Sequence, residues 1–107
     1  MYIVNVAKDF TRYPAGRFKK NGDTSGEAFR ESFLLPALRK GEDVTVQLDG
    51  TIGYGSSFLE EAFGGIVREL NISADDVLAK LTIDSKDSSL VKEVHQYIKD
   101  AGLRRHQ

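Results

Sequence analysis

Apolar residues along this chain change period several times, and each change marks an element. YIVNV at 2–6 is short, β-branched and aromatic, and predicts a first strand. EDVTVQLDG sets Val44, Val46 and Leu48 against polar neighbours. That is the alternation of a half-buried strand. Further on, Ala79, Leu81 and Ile83 alternate in the same way and predict a strand over 78–84. The first part of that segment reads equally as a helical turn capped by Ser73.

Between these strands the period lengthens. In SGEAFRESFLLPALRKG, the residues Ala28, Phe29, Phe33, Leu35 and Leu38 fit a helix buried on one side. Ser25 is its N-cap and Gly41 its C-terminal stop. Pro36 predicts either a kink or an end followed by a turn. In SSFLEEAFGGIVREL, Phe58, Leu59, Ala62, Phe63, Ile66, Val67 and Leu70 fall at helical spacing. Glu60 and Glu61 sit in its first turn, where the helix dipole favours acids. Gly64 and Gly65 should each cost about 1 kcal/mol against alanine. Close approach to the sheet is the expected compensation. DSSLVKEVHQYIKDAG carries a last apolar stripe of Leu90, Val94, Tyr97, Ile98 and Ala101, with Asp87 or Ser88 as cap and Gly102 as stop.

Residues 7–24 hold Pro14, Gly16 and Gly22 among charges. They read as a loop or a short hairpin turning near PAG, with a short strand around Arg17 to Lys19. The order is strand, loop, helix, strand, helix, strand, helix. It predicts a small α/β sheet with parallel pairing and right-handed crossovers. The domain is expected over 1–103, followed by a basic tail at 104–107.

With 107 residues and 40% apolar content, one hydrophobic core is supported and two are not. Fifteen basic residues against sixteen acidic give a net charge of -1, which argues against a chain-wide field for nucleic acid or acidic lipid. The chain has no cysteine, which removes disulfides and zinc-thiolate sites and fits a reducing compartment. MYIVNVAKDF lacks the pattern of a signal peptide. No window approaches the roughly 20 apolar residues of a membrane helix. A cytoplasmic domain is expected, monomeric or homodimeric.

The candidate chemistry lies at the strand-to-helix junction. GYGSSF, the residues Gly53, Tyr54, Gly55, Ser56, Ser57 and Phe58, puts a small hydroxyl-bearing turn where backbone N–H groups lack partners. An anion, a phosphoserine or a partner chain fits there. So does a plain helix cap made by Ser56 or Ser57, which is the simpler reading. The turn is not a P-loop, since no lysine follows the glycines. The basic loop at 12–20, before the first helix, gathers Arg12, Arg17, Lys19 and Lys20 with Tyr13 and Phe18. Basic and aromatic residues together suit a phosphate or a nucleic-acid strand. The plainer reading is a solvated loop with Arg17 paired to Glu27 or Asp23. His95 and His106 have no second ligand at metal spacing. No nucleophile stands with a base, so no catalytic residue, cofactor or metal is expected.

The stretch VTVQLDGTIGYGSSFLEEAFGGIV resembles the central part of the STAS domain, the fold of anti-anti-sigma factors. With PAGRF and SGEAF added, the chain resembles a STAS-like family of uncharacterised bacterial proteins. The resemblance implies a single small STAS-like α/β domain, a mixed sheet of about four strands with helices packed against it. It also implies a regulatory interaction module whose partner is a histidine-kinase-like ATPase, with Ser56 at the position that such a kinase phosphorylates and Ser57 beside it. Gly55 stands where those factors carry an aspartate, and Phe58 where they carry a glycine. Two functions are therefore open. One is a protein-interaction module presenting 53–58. The other is a phosphate-ligand or nucleic-acid binder in which Arg17, Lys19 and Lys20 meet the turn at 53–57.

Overall fold

The computed structural model describes residues 1–104. Three strands, β1 (Tyr2–Asn5), β2 (Val44–Gln47) and β3 (Leu81–Asp84), form one sheet in the order β1-β2-β3. Both pairings are parallel, with Val4, Val46 and Ile83 in register. The expected mixed sheet of about four strands is therefore a parallel sheet of three. The strand expected around Arg17 to Lys19 is absent. Its N–H groups are taken by side chains instead: Asn21 Oδ1 accepts from Phe18 and Glu27 Oε1 from Lys19. A tight turn at Lys19–Asn21 follows.

The strand alternation sorts residues between the two faces. Val4, Val44, Val46, Leu81 and Ile83 are buried under the helices. Ile3, Thr45 and Thr82 lie in register on the opposite face, where Ile3 and Thr82 are exposed and Thr45 half-buried. Parallel sheets usually bury both faces. Here only one carries the core, which explains why VTVQ alternates rather than running apolar throughout.

Helix α1 is continuous in backbone conformation from Gly26–Phe29 through a wide π-helical turn, Arg30–Leu34, into Leu35–Arg39. Ser25 caps it, accepting from Ala28 N–H at 3.1 Å. The proline does not end the helix. The Leu35 N–H reaches back five residues to Arg30 C=O, and this wide turn just ahead of Pro36 accommodates the missing donor. Gly41, at φ 80, closes the segment.

Helix α2 has the same construction: Ser56–Leu59, a π-helical turn at Glu60–Gly64, then Gly65–Leu70. Its apolar stripe forms the middle of the core. Phe58, Leu59, Ala62, Phe63, Ile66 and Val67 are all fully buried. Phe29 of α1 is the aromatic hub, with ring centroids 5.3 Å from Phe10, 5.5 Å from Phe33 and 6.2 Å from Phe58.

Helix α3 (Ala74–Lys80) is capped by Ser73, so the helical reading of that segment holds and β3 begins only at Leu81. Helix α4 (Ser88–Arg104) starts on the Asp87 carboxylate, which accepts from Ser89 and Leu90 N–H. It runs through Gly102 rather than stopping there. Gly102 is buried against Ala74, which lets α3 and α4 touch backbone to backbone. The expected tail thus begins as helix at Arg104, and 105–107, with His106, lie outside the described residues.

Candidate functional site

The turn at 53–57 follows β2 at the carboxyl end of the parallel sheet. Tyr54 holds it down. Its phenol donates to Leu48 C=O at 2.7 Å, and its ring lies 5.8 Å from Phe58. Burial pushes this phenol up to about 12, so it stays a neutral donor. Gly53 takes φ 141, a conformation open to glycine and strained for other residues. The chain can therefore turn sharply between the Tyr54 anchor and an exposed Ile52.

The two serines do not cap α2. The capping residue is Gly55, which has no side chain to offer, and helix α2 begins at Ser56. Both hydroxyls thus stand inside the first turn, free of capping duty, with Ser56 exposed and Ser57 half-buried. Phe58 is corrected more strongly. It is wholly buried in the core and belongs to no contact surface. The expected partner-binding stretch shrinks to Gly53, Tyr54, Gly55, Ser56 and Ser57.

Exposed apolar groups adjoin the turn. Ile52 N–H donates to Arg12 C=O at 3.0 Å, so the 11–13 and 51–53 segments lie side by side. They bring Ile52, 72% exposed, and Tyr13, 59% exposed, to the same end of the molecule.

The basic loop behaves differently from its composition. Arg17 pairs with neither Glu27 nor Asp23. Its Nη1 reaches Glu60 at 2.5 Å and Glu61 at 3.3 Å. Lys19 pairs with Glu31. Lys20 lies 5.5 Å over the Phe18 ring. The three cations are engaged with different partners and do not converge on the glycine-serine turn. Only Arg17 reaches α2.

Beneath the turn lies an ion-pair seam that composition and spacing did not reveal. Arg30, 2% exposed, donates from Nη1 to Glu61 Oε2 at 2.7 Å and to the Glu61 carbonyl at 2.5 Å. Arg68 binds Glu60 at 2.7 Å and Glu61 at 3.4 Å. Glu60 and Glu61 are therefore ligands of three guanidiniums and not simple dipole partners. Burial opposes ionisation of Glu60, but hydrogen bonds from Arg68 and Arg17 outweigh it and hold its carboxyl below the usual range. The glycine pair explains itself here. A Cβ on Gly65 would collide with the Arg30 guanidinium, and one on Gly64 would meet Glu60 and the Tyr97 carbonyl. The close approach is to Arg30 and α4, not to the sheet. A sequence signal existed: an arginine next to Phe29 on the apolar side of α1, and two adjacent glycines inside an apolar helix.

Among the described residues no group of acids or histidines is arranged to hold a metal ion. No helix among them is long and apolar enough to cross a membrane.

A family model described as a STAS-like domain of unknown function matches residues 25–90. This is more than half of the chain, and the chain belongs to that family. The matched span runs from the α1 cap through the glycine-serine turn and the ion-pair seam to the start of α4. No curated protein and no solved structure matches the chain.

Proposed function

We propose that this domain is a non-catalytic, regulatory protein-interaction module acting in the cytoplasm, and that it meets its partner with the turn at 53–57 and the adjoining Tyr13–Ile52 patch. One observation carries the reading. Two large apolar side chains, Ile52 at 72% and Tyr13 at 59% exposed, flank a turn whose serine hydroxyls have no capping role. Aromatic and aliphatic anchors beside adaptable small polar groups are what protein interfaces use.

The resemblance to anti-anti-sigma factors adds a partner class, a histidine-kinase-like ATPase, and a switch in which the turn is phosphorylated. A phosphate there would bring about -1.5 to -2 charges onto the contact surface. The alternative, a phosphate-ligand or nucleic-acid site formed by the basic loop meeting the turn, is weakened because Arg17, Lys19 and Lys20 hold three separate partners and do not converge.

The test is affinity capture from native cells with wild type, Ile52→Asp, Tyr13→Ser and Ser56→Asp baits, with and without ATP. Captured proteins and the mass of the bait are read by mass spectrometry. The reading expects one protein species held by wild type and lost by Ile52→Asp at unchanged thermal stability. Capture unaffected by all three substitutions would overturn it.

A further inference from the structure

The two serines of the turn face different charges. On a helix, residues three and four apart are surface neighbours. Ser57 stands three residues before Glu60 and four before Glu61, so the helical period puts it on the side that carries both carboxylates. Arg17 bridges those same carboxylates, at 2.5 and 3.3 Å, and Arg68 does so from the next turns, at 2.7 and 3.4 Å. The side chains of Arg17 and Arg68 are 35% and 41% exposed, so both can turn toward a new anion. With buried Arg30, three guanidiniums meet two carboxylates, and a third acid, half-exposed Glu69, lies 3.8 Å from Arg30. The Nε of Arg30 has no acceptor.

Ser56 lies 100° further round. It shares the Glu60 neighbour at four residues, but its hydroxyl neighbours the Tyr97 phenol. That phenol already donates to Glu93 Oε2 at 2.6 Å. Among the described residues Glu93 has no cationic partner. A dianion on Ser56 would meet an uncompensated carboxylate and a phenol whose single O–H is taken.

We propose that Ser57, rather than Ser56, is the position built to carry a phosphate, with Arg17 as its principal counter-ion and Arg68 as the second. The step is a phosphoryl transfer from a nucleoside triphosphate: the Ser57 oxygen bonds to the γ-phosphorus, the bond to the leaving diphosphate breaks, and the hydroxyl proton passes to solvent or to the kinase. Arg17 then exchanges one carboxylate contact for a phosphate contact. This rests on the reading of the turn as a regulated surface. It assigns the modification to the serine next to the one that the resemblance indicates.

The test installs phosphoserine genetically at position 56 or 57 of the full chain and follows the second phosphate ionisation by phosphorus NMR. In a free phosphoserine that pKa is about 6. Paired guanidiniums favour the dianion and an unpaired carboxylate disfavours it. The value for position 57 is expected to be lower than that for position 56 by at least about half a pH unit, and Arg17→Gln should erase most of the difference. Addition of 0.5 M salt should narrow it, which gives a second reading if Arg17→Gln is poorly folded. Equal values, a lower value at position 56, or a difference untouched by both Arg17→Gln and salt would overturn the assignment. All of this is read on purified protein with no partner present, so it stands or fails apart from the capture experiment.

Discussion

The turn at 53–57 and the ion-pair seam at 60–68 occupy successive parts of one helix entry, yet they are built in opposite ways. The seam is over-determined. Arg30 fills the space that Gly65 leaves open, Glu61 accepts twice from its Nη1, through carboxylate and backbone carbonyl, and two further arginines close the outer side. The turn is under-determined. One phenol and one core ring hold it, and its serines bond nothing that the helix requires. On the proposed reading, the contrast is one between scaffold and contact surface. A rigid helix start fixes where the turn points and leaves its outer atoms free to meet something else.

Substitutions that attack each side in turn should break this contrast unequally. The largest effect is expected at Glu61. Glu61→Ala removes the carboxylate in direct contact with buried Arg30 and leaves it only the more distant Glu69 and a backbone carbonyl, which should cost about 3 kcal/mol and show in urea unfolding. Replacing Arg30 and Glu61 together by Met and Leu should recover most of that loss, because the pair's own net contribution is small. Next is Gly65→Ala, where a methyl group displaces the guanidinium and overpacking costs about 1–3 kcal/mol. Tyr54→Phe comes third. It removes the bond to Leu48 C=O and should cost about 1 kcal/mol, with faster amide exchange in the turn. Ser56→Ala and Ser57→Ala should come last, within about 0.5 kcal/mol of wild type, since neither hydroxyl caps the helix.

Acid sharpens the same division. Glu60 has a lowered carboxyl pKa in the folded protein, so its stabilising contribution is complete above its ordinary value of 4.5. That contribution is lost as pH falls through the lower folded value. Thermal unfolding between pH 5 and 3 should therefore show a drop that Glu60→Gln flattens, with tyrosine fluorescence as the readout.

Much of the scaffold was legible in the periods of the sequence. Alternation placed β2, and capping serines at 25 and 73 marked where α1 and α3 start. Three features escaped for identifiable reasons. The π-helical turns that carry α1 past Pro36 depend on hydrogen bonds five residues apart, which leave no residue signature. The missing fourth strand turned on side chains of Asn21 and Glu27 capturing backbone donors locally. Arg17 and Arg30 lie more than thirty positions from the glutamates they bind, and composition gives no measure of which arginine finds which glutamate. At the site, the turn was found by its small residues. Phe58 was wrongly placed on the surface, since position in a motif says nothing of which way a side chain points. Ile52 has no signal in the sequence, and Tyr13 reads there only as part of the basic loop, because their shared exposure follows from two loops lying side by side and not from either one alone.

The most direct test of the central claim is site-specific photocrosslinking in native cells. A photoreactive side chain is placed at position 52, beside the turn, and in a second bait at position 82, on the open face of the sheet. Both positions are exposed. The account predicts one dominant protein adduct from position 52 and none of that mass from position 82. The same adduct from both positions, or from position 82 alone, would contradict the assignment of the contact surface to the turn.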